Sequence, residues 1–127
     1  MAQIITHKEL KVYQLSYEAA LEIHKLTKSF PREELYSLTD QIRRSSRSVS
    51  ANTAEAWRKR RYPKSFISKL SDAESEAAET QVWLDFSLDY TYITKEDHTK
   101  LYAKYEHILS MITKMQKQPE KWTIIKK

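Results

Sequence analysis

The residues best placed to do chemistry lie between positions 43 and 64. Eight of them are Lys or Arg: Arg43, Arg44, Arg47, Arg58, Lys59, Arg60, Arg61 and Lys64. The only acid is Glu55. The segment carries a net +7 in a chain of net +5, so the remainder is net −2. Local cation density of this kind neutralises phosphates, and RNA or another nucleic acid is the partner it suits. All eight residues are therefore candidate nucleic-acid contacts. On a helix of 3.6 residues per turn, with Arg43 at zero, Arg47 falls at about 40°, Arg58 at about 60° and Arg61 at about 0°. The stripe of Leu38, Ile42, Val49 and Thr53 falls on another side, at roughly 220–280°. Four arginines then form one line, with the small Ala51 and Ala54 between them and Ser50 at the edge. A flat or charged partner can approach such a strip closely. The competing reading is structural, because cations in a last helical turn favour the helix dipole. That effect needs one or two charges, not eight.

The other chemistry-bearing residues form no constellation. His7, His24, His98 and His107 lack metal-ligand spacing, and the paired Glu-x-x-His of a di-metal bundle is missing. Asp72, Glu76 and Glu79 share a helical face as acid/base carboxylates would, but no nucleophile or base accompanies them. A solvated face, or one answering arginines of a neighbouring helix, explains them as well. Trp57 and Trp83 read as packing residues. Tyr62, beside the basic cluster, is the better candidate for stacking on a base. No catalytic residue, metal site or cofactor is expected, and no enzyme.

Composition narrows the classes further. The 127 residues contain neither Cys nor Gly. Without Cys there are no disulfides, thiolate catalysis or Cys-ligated zinc. Without Gly, phosphate-cradling loops, dinucleotide folds and nucleophile elbows lose the residue that lets backbone approach a ligand. The first residues show no signal-peptide pattern, and no window approaches about 20 apolar residues. The expectation is a soluble, cytoplasmic protein without membrane contact.

These side chains must be positioned by helices. Apolar and small residues recur at three-four spacing in four blocks. Leu10, Tyr13, Tyr17, Leu21, Ile23 and Leu26 form a loose first stripe. Leu35, Leu38, Ile42, Ser45, Val49, Thr53 and Ala56 form the second. Phe66, Leu70, Ala73, Ala77, Thr80 and Leu84 form the third, and Leu101, Tyr105, Ile108, Ile112 and Met115 the fourth. Pro31 with Glu33 and Glu34, Pro63, and Thr94 with Glu96 and Asp97 read as helix starts. Helices are predicted at about 8–29, 32–61, 64–91 and 95–117. Short connections make neighbours antiparallel, so the fold class is all-α, an up-down four-helix bundle. Residues 1–118 form the domain. Residues 119–127 form a tail whose Trp122, Ile124 and Ile125 must dock on the bundle or on a neighbouring subunit. Ser45, Ser46, Ser48, Ser50, Asn52 and Thr53 make the second helix small and polar, which suits close packing within the bundle.

The stretch FPREELYSLTDQIRRSSRSVSANTAEAW resembles a known family: the four-helix-bundle proteins encoded in intervening sequences of bacterial 23S ribosomal RNA genes, the S23 family. The matching residues are Phe30, Pro31, Glu34, Leu38, Gln41, Ile42, Arg43, Arg44, Ser48, Asn52, Ala54 and Glu55. Likeness continues weakly through residues 66–84 and spans about 8 to 117. Val49 and Thr53 stand where Ile is usual, Ala56 where Gly is, and Ser45 and Ser46 where Ala is. The resemblance implies an antiparallel bundle assembled as a homopentamer. It also implies a distant similarity to the accessory variability proteins of diversity-generating retroelements, basic pentamers that bind nucleic acid and a reverse transcriptase. Two functions follow as expectations. One is a non-enzymatic, oligomeric RNA-binding protein. The other is a homo-oligomeric scaffold in which the basic line meets an acidic face on the next subunit, with Asp72, Glu76 and Glu79 as candidates, and nucleic acid has no role.

Overall fold

The computed structural model describes residues 4–123. Four helices occupy most of it: α1 (Lys11–Thr27), α2 (Leu38–Arg58), α3 (Pro63–Asp89) and α4 (Lys95–Lys117). Short 3-10 turns lie at His7–Glu9, Arg32–Glu34 and Pro119–Lys121. Each helix packs on the next in sequence, and α4 returns to α1. The result is the up-down four-helix bundle that the short links imply.

Three of the four predicted stripes form the core. Leu38, Ile42, Val49 and Ala56 of α2, Phe66, Leu70, Ala73, Ala77 and Leu84 of α3, and all five residues of the α4 stripe are buried. Each large aliphatic or aromatic side chain so buried stabilises the fold by about 1.5–3 kcal/mol. Ser45 and Thr53 are buried with them. Thr80 Oγ1 donates to the Glu76 carbonyl at 2.8 Å, so Ser45 Oγ, 2.8 Å away, donates to Thr80. Ser16 Oγ likewise donates to the Tyr13 carbonyl at 3.0 Å, so Ser50 Oγ donates to Ser16 at 3.0 Å. Small hydroxyls thus join α2 to α3 and to α1 with their donors satisfied.

Of the first stripe, Leu10 and Ile23 are buried in the core and Tyr13 and Leu26 pack against it, but Tyr17 and Leu21 fall outside it. The buried face of α1 is Val12, Ser16, Ala19, Ala20, Ile23 and Thr27, whereas Tyr17 and Leu21 are 50% and 57% exposed. The small residues let α1 lie close against α2.

The ends of α2 also differ from expectation. Helix 32–61 is in fact a 3-10 turn at Arg32–Glu34 followed by α2 from Leu38 to Arg58. Ser37 breaks the helix with φ −127° and ψ −102°. Tyr92 donates to Glu34 Oε2 at 2.9 Å, while Glu34 Oε1 accepts from Ser37 Oγ at 2.6 Å and from the Leu38 N–H at 3.3 Å. A carboxylate held from the far end of α3 thereby caps α2 and sets its start. Leu35 then lies outside the helix and is exposed. At the other end, Pro63 opens α3, and a residue before proline avoids helical geometry. Arg60, Arg61 and Tyr62 therefore turn the chain.

Thr94 caps α4 by accepting from the Asp97 N–H at 3.0 Å, as its sequence signal predicts. Thr91, between α3 and α4, is the one non-glycine residue at positive φ (65°) among the described residues. After α4 the chain folds back. Trp122 packs against the core, within a cleft that includes Leu10, Val12 and Met115. This tryptophan docks on its own bundle. Ile124 and Ile125 lie outside the described residues.

Candidate nucleic-acid interface

Helix α2 carries Arg43, Arg44, Arg47 and Arg58, and the four-residue turn that follows carries Lys59, Arg60 and Arg61, with Lys64 in the first turn of α3. Among the described residues, none of these eight cations forms an ion pair with a carboxylate. The one acid of the segment, Glu55, is taken by Lys69 of α3 at 2.7 Å. Lys69 also reaches Asp72 at 3.9 Å.

The eight are not equivalent. Arg47, Arg58, Lys59, Arg61 and Lys64 are exposed. Arg47 is braced, because its Nε donates to the Arg43 carbonyl at 3.1 Å. Arg43 is half-buried, and its Nε donates to Thr27 Oγ1 at 2.8 Å, tying α2 to the end of α1. Arg44 is exposed toward α3, where its charge acts on Glu76. Burial and the neighbouring Glu79 and Asp72 hold the Glu76 carboxyl above its usual range, with Arg44 opposing them. Arg60 is committed elsewhere: its guanidinium lies 3.4 Å from the centroid of the buried Trp57 ring, and its Nε donates to the Trp57 carbonyl at 2.8 Å. Burial and Arg58 push its pKa down.

The predicted line of four arginines is accordingly shorter. Arg61 has left the helix, since α2 ends at Arg58. Arg43, Arg47 and Arg58 remain on α2. Arg47 and Arg58 lie about 16 Å apart along the axis, at 1.5 Å per residue.

The small strip between them is the floor of a groove. Arg47, Ser50, Ala51 and Ala54 of α2 line one side; Tyr13, Tyr17, Ala20, Leu21 and His24 of α1 line the other, enclosing about 550 Å³. A second hollow of about 480 Å³ shares Ala54 and continues past Trp57 and Arg58 to His7 and Ile5. The groove is apolar, with Arg47 on its wall and Arg58, beside Glu55, in the hollow that continues it. Arg43, burial, Lys28 and Arg47 together lower the pKa of His24. Tyr13, Tyr17 and Leu21 escaped the sequence reading because their four-residue spacing matches a core stripe. The signal that separates the cases is the neighbouring run of Ser16, Ala19 and Ala20, which marks the true contact face.

Trp57 is 4% exposed and beneath Arg60, so it is a packing residue, as expected. Trp83 is half-buried in a chain of rings with Phe86, Tyr90, Tyr92 and Phe30, centroids 5.3–5.9 Å apart. Tyr62 is 64% exposed in the basic turn. Among the described residues no group of three or more His, Asp or Glu is arranged to hold a metal, and no helix is long and apolar enough to cross a membrane.

Comparison with known proteins agrees with this architecture. No curated protein matches the chain. Among solved structures, a protein with unknown function from the S23 ribosomal protein family of Bacteroides thetaiotaomicron superposes with a TM-score of 0.76 at 32% identity, covering 84% of this chain and 95% of that one. The model of the 23S rRNA-intervening sequence proteins matches residues 8–114. On that match, spanning all four helices, the chain belongs to the 23S rRNA-intervening sequence protein family.

Proposed function

We propose that this protein is a non-enzymatic, RNA-binding homo-oligomer. Arg47, Arg58, Lys59, Arg61 and Lys64 contact phosphates directly. Arg43 and Arg44 add to the local potential, and Arg60 supports the turn that presents its neighbours. The observation that carries this reading is that, among the described residues, none of the eight cations forms an ion pair with a carboxylate. An unneutralised cluster on a helix and its adjoining turn has the charge density that phosphate binding uses. Membership of a family named for ribosomal RNA insertions favours RNA as the anion.

Self-association, which the family resemblance implies as a homopentamer, has its own support. Val82, Phe86, Tyr90 and Tyr36 are all exposed around the end of α3, and contiguous apolar surface of this kind marks protein contacts. The scaffold alternative, with the basic segment docked on a neighbour's acids, has less. Asp72 is occupied by Lys69, and Glu76 is half-buried beside Arg44.

Fluorescence anisotropy with a labelled structured RNA tests the proposal. Binding is expected in low salt and is lost in the Arg47→Glu/Arg58→Glu double variant, with mass by light scattering unchanged. Absence of binding by the unmodified protein in low salt refutes it. Dissociation of the oligomer by the same charge reversal favours the scaffold.

A further inference from the structure

We infer that the groove between α1 and α2 is a seat for unpaired bases, so that the protein prefers single-stranded over duplex RNA. The inference rests on the RNA-binding reading and goes beyond it to the form of RNA.

The argument begins with a stack of rings. His7 meets Tyr13 edge-on at 4.8 Å, and Tyr13 stacks on Tyr17 at 5.8 Å with 27° between planes. Tyr17 ends the series: among the described residues no further ring continues it, and the side chain is 50% exposed. Leu21, one turn on, is 57% exposed. A base laid against this end would extend the stack and cover apolar surface that now faces water. Base–aromatic stacking is tolerant of sequence, because every base has a π-face.

The opposite wall completes the site. Ala51 and Ala54 keep the floor low enough for a planar group to enter. Arg47 stands on the same wall, braced by the Arg43 carbonyl, and Arg58 follows along the continuing hollow. Glu55 lines that hollow beside Arg58, and Lys69 pairs with it at 2.7 Å. Arg47 and Arg58 therefore track the groove and its continuing hollow, with apolar surface between. That alternation matches a single strand, which offers phosphates on its backbone and bare faces on its bases. A duplex offers no base face here, since its bases are paired and stacked inside. The charge also distinguishes the occupant from an ordinary apolar peptide, which would leave Arg47 and Arg58 without counter-ions.

The test compares a labelled oligouridylate of roughly 12 nucleotides, within the size range of single-strand grooves, with an RNA duplex of the same length. Wild type is expected to bind the strand more tightly at equal salt. Tyr17→Leu keeps apolar volume but removes the ring face; it should weaken strand binding about tenfold, the scale of one stacked base. Its salt dependence and duplex affinity should not change. Tyr17→Trp should hold the strand at least as tightly as wild type. Circular dichroism and light scattering check that both variants keep fold and mass. Equal affinity of wild type and Tyr17→Leu for the strand overturns the inference but leaves phosphate binding standing. Failure of wild type to bind either RNA in low salt removes the RNA-binding reading and this inference with it. A change of mass in Tyr17→Leu makes the groove a contact between copies and overturns the inference. So does tighter, Tyr17-dependent binding of a polyglutamate peptide.

Discussion

The salt dependence of RNA binding can be worked out from the side chains, and it separates cations that grip phosphate from those that serve the fold. Eight cations lie between residues 43 and 64: Arg43 and Arg60 are held by Thr27 and Trp57, the exposed Arg44 acts on Glu76 without pairing to it, and the other five are exposed. Each phosphate neutralised on a single strand contributes about −0.7 to the log-log salt slope, so five contacts give about −3.5. Raising salt from about 50 to 200 mM should then weaken binding about a hundredfold. Removing two contacts with Arg47→Gln/Arg58→Gln should bring the slope to about −2.1, and the same salt change then costs about twentyfold. Arg60→Gln should leave the slope unchanged. It strips the guanidinium from Trp57 and should instead lower stability by about 1 kcal/mol, as a partly buried cation–π contact. Anisotropy titrations at four or more salt concentrations, with thermal melts of each variant, provide both readouts. A slope near −5.6, or one that Arg60→Gln reduces as much as Arg47→Gln does, would refute the division.

Three further outcomes follow from the structure. Glu34 is held below its usual carboxylate range, first by the Ser37 hydroxyl and then by the Tyr92 hydroxyl and the Leu38 N–H. Its contribution is present above the unfolded value of 4.5 and is lost as pH falls through the lower folded value. Glu34→Gln should therefore cost about 1 kcal/mol at neutral pH, less than a buried charged hydrogen bond because solvent screens the site, and that cost should vanish in acid melts. Thr91→Gly relieves a left-handed β-branched residue. A gain of about 1 kcal/mol is expected, or about 4 °C in Tm for a chain of this length, and a lower Tm would contradict it. Arg43, and then burial, Lys28 and Arg47, hold the pKa of His24 below its ordinary value. Phosphates placed on those cations should raise its pKa, so binding takes up a proton and tightens as pH falls. An NMR titration of His24 with and without RNA checks the direction, and an unchanged or lower pKa in the complex would contradict it.

Much of this protein was legible in its sequence. Leu38–Ile42–Val49, Phe66–Leu70–Ala77–Leu84 and Leu101–Tyr105–Ile108–Ile112 each place apolar or small side chains on one side of a 3.6-residue helix, and all are buried. Pro63 and Thr94 mark helix starts through local chemistry alone: a fixed φ and a side-chain cap. The net +7 of residues 43–64 is likewise a property of the chain and needs no coordinates.

Tertiary structure decided what depends on partners distant in sequence. The start of α2 at Leu38 is set by Glu34, and Glu34 is held by Tyr92, 58 residues away. The phase of α1 was decided by close approach to α2. Ser16 meets Ser50 across 34 residues, so the small face turned inward and Tyr17 and Leu21 were left to line a groove. The roles of the arginines were sorted the same way. Arg43 reaches Thr27 on another helix, Arg60 folds onto Trp57 because Pro63 forces a turn, and Lys69 removes the only acid among them. Periodicity and charge are properties of neighbours along the chain, which is why the sequence alone determined the four helices and the basic segment. Which large side chain is buried, and which cation is left free, depends on the surface each one meets, and that surface exists only once the helices have packed.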